Sequence, residues 1–223
     1  MCANIGNDIS VKYPRFLYHY TSIESLGLIL HNATLRFSSL QNVDDLDEVE
    51  CDDIQKFGRF CYVSCWSDDE EESIPLWKMY TPDMKGVRIK LPAFPFVKYS
   101  INLIGDGKEI PFETYIDYET LEKDGKARAF QNEWRYRLFI YPLLQGWPQN
   151  NEQKKEYLLR LSNPSVPLPY SNYFLHIDRN LFLDMEIMLG PRAKTEHEII
   201  VKALAEKYCK TMKNVCRSSL KIG

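Results

Sequence analysis

Three groups of residues in this 223-residue chain have the types and spacing to do chemistry. The first is His19-Tyr20-Thr21, where the apolar run Phe16-Leu17-Tyr18 gives way to Ile23, Leu26 and Leu30 at helical spacing. A T-x-x-E capping box from Thr21 to Glu24 is expected to open that helix. The triplet then lies at a strand end beside free helix amides, a setting suited to a polar or anionic ligand. An ordinary hydrogen-bonded, half-buried histidine accounts for His19 equally well. The second group is Glu133 with Arg135 and Arg137, on one face of a strand expected over 132–141, opposite Trp134, Tyr136, Leu138 and Ile140. A salt-bridged exposed edge and a charged active-site face both explain that pattern. The third is the acidic segment Asn42 to Asp53. It lacks the spacing and turn glycine of an EF-hand, and carboxylates crowding a helix N-terminus have a structural explanation in the helix dipole. Asp44, Asp45 and Glu48, joined by Glu133, are nonetheless a carboxylate set of the kind that holds divalent cations in a metal-dependent nuclease.

Composition narrows the classes. The chain has 44% hydrophobic and 13% aromatic residues and a formal charge of −3, which is globular and carries no electrostatic footprint for general nucleic-acid binding. Its length suits a single domain over 1–223 with a sizeable core. The opening residues have no signal-peptide pattern and no stretch approaches a membrane span, so a soluble, cytoplasmic protein with no membrane partner is expected. Six cysteines then read as thiols rather than as a disulfide framework. Cys61 and Cys65 share a strand face, but a zinc site needs two further ligands in a pattern that is absent, so no metal is expected.

The elements that must position these groups follow from periodicity. Thr34–Ser38 alternates as a strand with Arg36 outward. Arg59–Trp66 is apolar on both faces and is expected to be a central strand, leaving Ser64 as a small hydroxyl in an apolar row. Ser73–Tyr80 reads as a helix with Pro75 in its first turn, and Trp77 and Tyr80 share a face. Gly86–Leu91 alternates as a half-exposed strand. Phe96–Leu103, Tyr173–Ile177 and Phe182–Leu189 read as further strands, and a last short strand is expected near Val215. Thr195 to Glu198 forms a second capping box at the start of a final helix. Strands outnumber helices and are interrupted irregularly, so the expected class is α+β.

Taken together, the blocks Leu17-Tyr-His-Tyr-Thr-Ser22, Val43-Asp-Asp-Leu-Asp-Glu48, Val63-Ser-Cys-Trp-Ser67, Trp77-Lys-Met-Tyr80 with Gly86, Phe130-Gln-Asn-Glu-Trp-Arg135 and Ile187-Met-Leu-Gly190 resemble, in order and spacing, a bacterial family catalogued as domain of unknown function 2971. The departures are Asp44 where that family usually has Asn and Leu46 where it has Pro. A more distant resemblance, carried by His-x-Thr on a first strand, a serine-bearing middle strand and a glutamate opening a later one, is to ADP-ribosyltransferases. That resemblance implies a split two-sheet mixed β core that grips NAD as substrate. It implies that His19 binds a ribose, that Ser64 marks the middle motif and that Glu133 is the catalytic carboxylate. Within the same picture Tyr20, Trp77 and Tyr80 stack on nicotinamide or simply fill core, and Thr21, Arg36 and Arg135 contact polar or pyrophosphate groups or are salt-bridged surface. Asp45 and Glu48 are accessory acids or helix caps. A GxGxxG loop is absent, so a Rossmann mode is not expected. The implied activity is ADP-ribosyl transfer or NAD hydrolysis by a toxin or phage-defence effector, with a protein, nucleic acid or water as acceptor. A non-catalytic nucleotide-binding sensor or interaction module is the alternative.

Overall fold

The computed structural model describes residues 14–39, 61–93, 95–96, 104–105, 108–109, 112–116, 122–123, 133–142, 152, 171–211 and 213–222; between 104 and 142 it describes backbone pairing and, of the side chains, Tyr136. The expected strand over 96–103 and the acidic segment with Asp44, Asp45 and Glu48 lie outside the described residues, apart from Phe96, which bridges to Ile177.

The chain folds as α+β. Its strands are β1 (Phe16–Thr21), β2 (Thr34–Ser39), β3 (Cys61–Ser67), β4 (Val87–Pro92), β5 (Ile104–Gly105), β6 (Lys108–Glu109), β7 (Phe112–Ile116), β8 (Glu122–Lys123), β9 (Glu133–Pro142), β10 (Asn172–His176), β11 (Glu186–Leu189) and β12 (Val215–Arg217). Among the described residues the longer helices are α1 (Ile23–Asn32), α2 (Ile74–Tyr80) and α3 (Thr195–Cys209). Among the described strands, ten form one mixed sheet along the path β10-β2-β3-β1-β4-β11-β12, with β9 also on β3 and with β7 and β8 on β9, while β5 and β6 pair separately. Only the β11–β12 pairing is parallel among the pairings described.

The main core covers one face of this sheet. Leu17 of β1, Leu35 and Phe37 of β2, Tyr62 and Trp66 of β3, Val87, Ile89 and Leu91 of β4, and Ile187 and Leu189 of β11 all point there. They meet Leu26, Ile29 and Leu30 of α1 and Val201, Ala205 and Cys209 of α3. A smaller cluster on the other face joins Tyr20 to Leu76, Trp77 and Met84. On β3, Val63 and Ser67 of one face are buried as well as Tyr62, Ser64 and Trp66 of the other, as its sequence led us to expect. The expected half-exposed strand over 86–91 is covered too, because even Arg88 is buried. Phe182–Leu189 does not run as one strand: Asp178 accepts from the Asn180 amide and starts a 3-10 turn over Arg179–Leu183, so β11 begins only at Glu186. Among the described residues no helix is long and apolar enough to cross a membrane.

Two glycines of the resembling blocks fasten this scaffold. The Gly190 amide donates to Gly86 O at 2.9 Å. A Cβ on Gly86 would lie 2.2 Å from the Thr21 carbonyl oxygen and 2.7 Å from Thr81 Cβ. Since the first obstacle is backbone at the end of β1, Gly86→Ala is expected to cost about 1–3 kcal/mol or more. A urea midpoint unchanged from wild type would show that the β1 end moves freely.

Candidate functional site

The site begins with the way β3 shares one of its edges. Its other edge pairs with β9 throughout, from Cys61 opposite Phe139 to Ser67 opposite Glu133. Among the described residues the shared edge pairs with β2 only at Tyr62 and Val63, and with β1 only at Ser67 opposite Tyr18. Between those points β1 and β2 part, and α1 connects them. A backbone carbonyl in such a gap needs a donor. His19 provides it through Nδ1, 2.9 Å from Cys65 O. Because a carbonyl only accepts, Nδ1 carries the proton, and neutral His19 keeps an acceptor lone pair on Nε2. Burial lowers the His19 pKa, opposed by the Cys65 carbonyl and assisted by the positive charge of Arg36. The ring is thus neutral at pH 7, and Nε2 has no hydrogen bond among the described residues.

Trp66 fixes the plane of that ring. The two rings stack at 4.8 Å and 28°, and Trp66 Nε1 donates to Ser64 Oγ at 3.0 Å. Tyr136 meets the indole edge-on at 5.7 Å and donates its hydroxyl to Ala93 O. Trp66 thus links His19 to Ser64, which orients the indole.

The aromatics expected to stack on a ligand are largely committed elsewhere. Tyr20 is buried, accepts from the Ser73 amide at 3.2 Å and meets Trp77 edge-on at 4.9 Å. Trp77 is fully buried and donates from Nε1 to Glu72 Oε2 at 3.1 Å. Tyr80 is half-buried against the same cluster, which Leu220 and Ile222 help to cover. For Tyr20 and Trp77 the core alternative holds. Thr21 does not cap α1: its backbone still pairs with Val87, and the cap is Ser22, whose Oγ accepts from the Ser25 amide at 3.1 Å. The Glu24 carboxylate takes its own amide and the Ser22 hydroxyl, which lowers its pKa. The first turn therefore satisfies the Ser25 amide internally, which weakens the expected anion setting. The second expected capping box is likewise displaced, since Lys194 is the N-cap of α3 and His197 Nδ1 accepts from the Lys194 amide at 2.9 Å.

Glu72 carries no role in the sequence reading above. Besides Trp77 it receives the Ser219 amide at 2.8 Å and the Ser219 hydroxyl at 3.1 Å, both on Oε1. Burial alone would raise its pKa, but the donors from Ser218, Ser219 and Trp77 outweigh it and hold the carboxyl below the ordinary value. A carboxyl with a lowered folded pKa stabilises fully above its unfolded pKa and loses that contribution as pH falls towards the folded one. Glu72→Gln is therefore expected to flatten the acid side of the stability profile below about pH 5. Parallel thermal-denaturation profiles for the two proteins between pH 7 and pH 3 would contradict this.

Arg36 is exposed on β2. Arg135 stands opposite Cys65 and Glu133 opposite Ser67. Directly paired residues share a sheet face, so by register Glu133 and Arg135 fall on the face of Ser67, Cys65 and Tyr18. His19, Ser64 and Trp66 occupy the other face. The three expected site positions converge on one region of the sheet, with Glu133, Ser67 and Tyr18 in a single row, but they do not share a face. Among the described residues no group of three or more His, Cys, Asp or Glu side chains is placed to hold a metal ion. Comparison of the chain with protein-family models, curated proteins and solved structures finds no match. Fold and site together define an α+β protein whose sheet divides at a neutral histidine.

Proposed function

We propose that the chain is an NAD-consuming enzyme of the ADP-ribosyltransferase type, in which NAD is the substrate and a protein, nucleic acid or water is the acceptor. The observation that carries this reading is the division of the β3 edge between β2 and β1 with His19 in the gap, which supports it within one continuous sheet rather than the two-sheet core that the resemblance implies. In this reading His19 Nε2 accepts from a ribose hydroxyl while Nδ1 stays on Cys65 O. The Glu133 carboxylate stabilises the oxocarbenium charge that develops as the nicotinamide–ribose bond breaks. Because the two residues belong to opposite faces by register, the reading requires the ribose to lie across the end of β3, where Ser67 is its last residue and Glu133 the first of β9.

That same register favours a second reading, a nucleotide-binding sensor without turnover, in which Glu133 is only the start of a charged strand. The carboxylates Asp44, Asp45 and Glu48 of the nuclease alternative lie outside the described residues. Incubation with NAD and, separately, with plasmid or RNA, each with and without a chelator, separates the three. Chelator-insensitive nicotinamide release that is lost in His19→Ala is the expected result. NAD binding without release would leave the sensor, and chelator-sensitive strand cleavage would replace the transferase by the nuclease.

A further inference from the structure

The Val87-Arg-Ile-Lys-Leu91 run of β4 sends Val87, Ile89 and Leu91 into the main core and Arg88 and Lys90 to the opposite face. Arg88 is only 6% exposed. Burying a guanidinium is expensive unless it is paired and its donors are met. Its Nη1 donates to Glu70 O at 3.0 Å and Glu71 O at 3.1 Å, and its plane lies over the Tyr18 ring, 4.5 Å from the centroid, with Tyr20 at 5.9 Å. Nothing else holds it: among the described residues no carboxylate pairs with Arg88, whereas neighbouring Lys90 pairs with Glu186 at 2.7 Å. Among the described residues Nε and Nη2 have no hydrogen bond. Neither atom is among the fully enclosed polar side-chain atoms that lack a partner, so the edge keeps a little accessible surface.

We propose that this free Nε/Nη2 edge, with the Tyr18 hydroxyl, forms a binding site for one small oxyanion, a phosphoryl or carboxylate group, on the sheet face opposite His19. The guanidinium fork matches two oxygens of such a group at once. Two backbone carbonyls and two aromatic rings fix the fork in advance, so little freedom is lost on binding. Tyr18 is buried yet its hydroxyl has no hydrogen bond among the described residues, and it stays protonated because burial raises its pKa, with Glu70 and Glu186 adding to this and Lys90 and Arg88 opposing it. The surrounding carboxylates limit the charge the site tolerates. Glu186 is engaged by Lys90 and Glu72 by Trp77 and Ser219, while Glu70 gives its carbonyl to Arg88 and its carboxylate acts on Tyr18 and Lys90. Such balanced surroundings suit a single anionic group and disfavour a polyphosphate chain. The site is independent of whether NAD is the substrate.

Arginine Nε–H signals of the 15N-labelled full chain test the site directly. Inorganic phosphate and, in a separate arm, acetate are titrated at constant ionic strength, with chloride as control; the Arg88 signal is the one missing in Arg88→Lys. A saturable shift of that signal with phosphate, acetate or both is expected, and the arm that saturates at lower concentration identifies the group. Tyr18→Phe, which removes only the hydroxyl, should raise the saturation midpoint several-fold. An arginine spectrum that responds no differently from the chloride control overturns the proposal. If Arg88→Lys fails to fold, Tyr18→Phe decides, and an unchanged midpoint overturns it.

Discussion

Glu133→Gln should leave NAD affinity close to wild type and lower the rate of nicotinamide release about 100- to 1000-fold. The amide keeps the shape of the side chain and loses the negative charge, which is needed only while positive charge develops at the ribose. Ground-state binding therefore hardly changes, and the whole effect falls on the chemical step. Were Glu133 simply the first residue of a charged, solvent-facing strand, the substitution would change stability by about 1 kcal/mol or less and leave any turnover untouched. Single-turnover release of nicotinamide, with NAD binding followed separately by calorimetry, distinguishes these outcomes. Equal rates for the two proteins would remove Glu133 from the mechanism and leave the nucleotide-sensor reading in its place.

A comparably large effect is expected on stability from Trp77→Ala, about 3–5 kcal/mol. Trp77 is fully buried, holds Tyr20 edge-on and donates to Glu72. Removing it empties the centre of the smaller cluster and frees Glu72 Oε2, on the carboxylate that also anchors Ser219. A domain of ordinary stability, about 5–15 kcal/mol, would lose a large share of it. Trp77→Phe keeps most of the ring and should recover part of the loss. Urea unfolding followed by circular dichroism measures both, and a loss below about 1 kcal/mol for the alanine variant would mean that the surroundings collapse into the space, as some core sites do.

Much of the scaffold was legible because its strands carry simple patterns. Apolar residues on both faces of 59–66 signalled an interior strand, and β3 is flanked on both edges. The amphipathic spacing of Ile23, Leu26 and Leu30 located α1 to within a residue. The cap was misplaced by one because Thr21 and Ser22 are both good N-caps, and only the pairing of Thr21 with Val87 decides between them. Trp66, which links His19 to Ser64, was read only as part of an apolar face. Its indole N–H shows its use once Ser64 stands two residues earlier on the same side of the strand. Arg88 was invisible as a buried group because alternation in a strand tells which side a residue faces and not whether anything covers that side. Here Tyr18 and the carbonyls of Glu70 and Glu71 cover it. The division of the sheet was beyond reach of local pattern, since it depends on which of two strands, β1 or β2, takes each part of one β3 edge.

The row Tyr18, Lys90 and Glu186 sets side by side positions drawn from the beginning, middle and last part of the chain. Contacts of such wide sequence separation incur their loop-closure entropy before they are rewarded. β1 and α1 have most of their partners far downstream, so during synthesis they wait, with Leu17 and Leu26 uncovered, until β4, β11 and α3 have left the ribosome. Folding of this chain should accordingly be slow for its size and late relative to translation. The same delay makes the unpaired edge of β1 the segment that a chaperone would most need to shield.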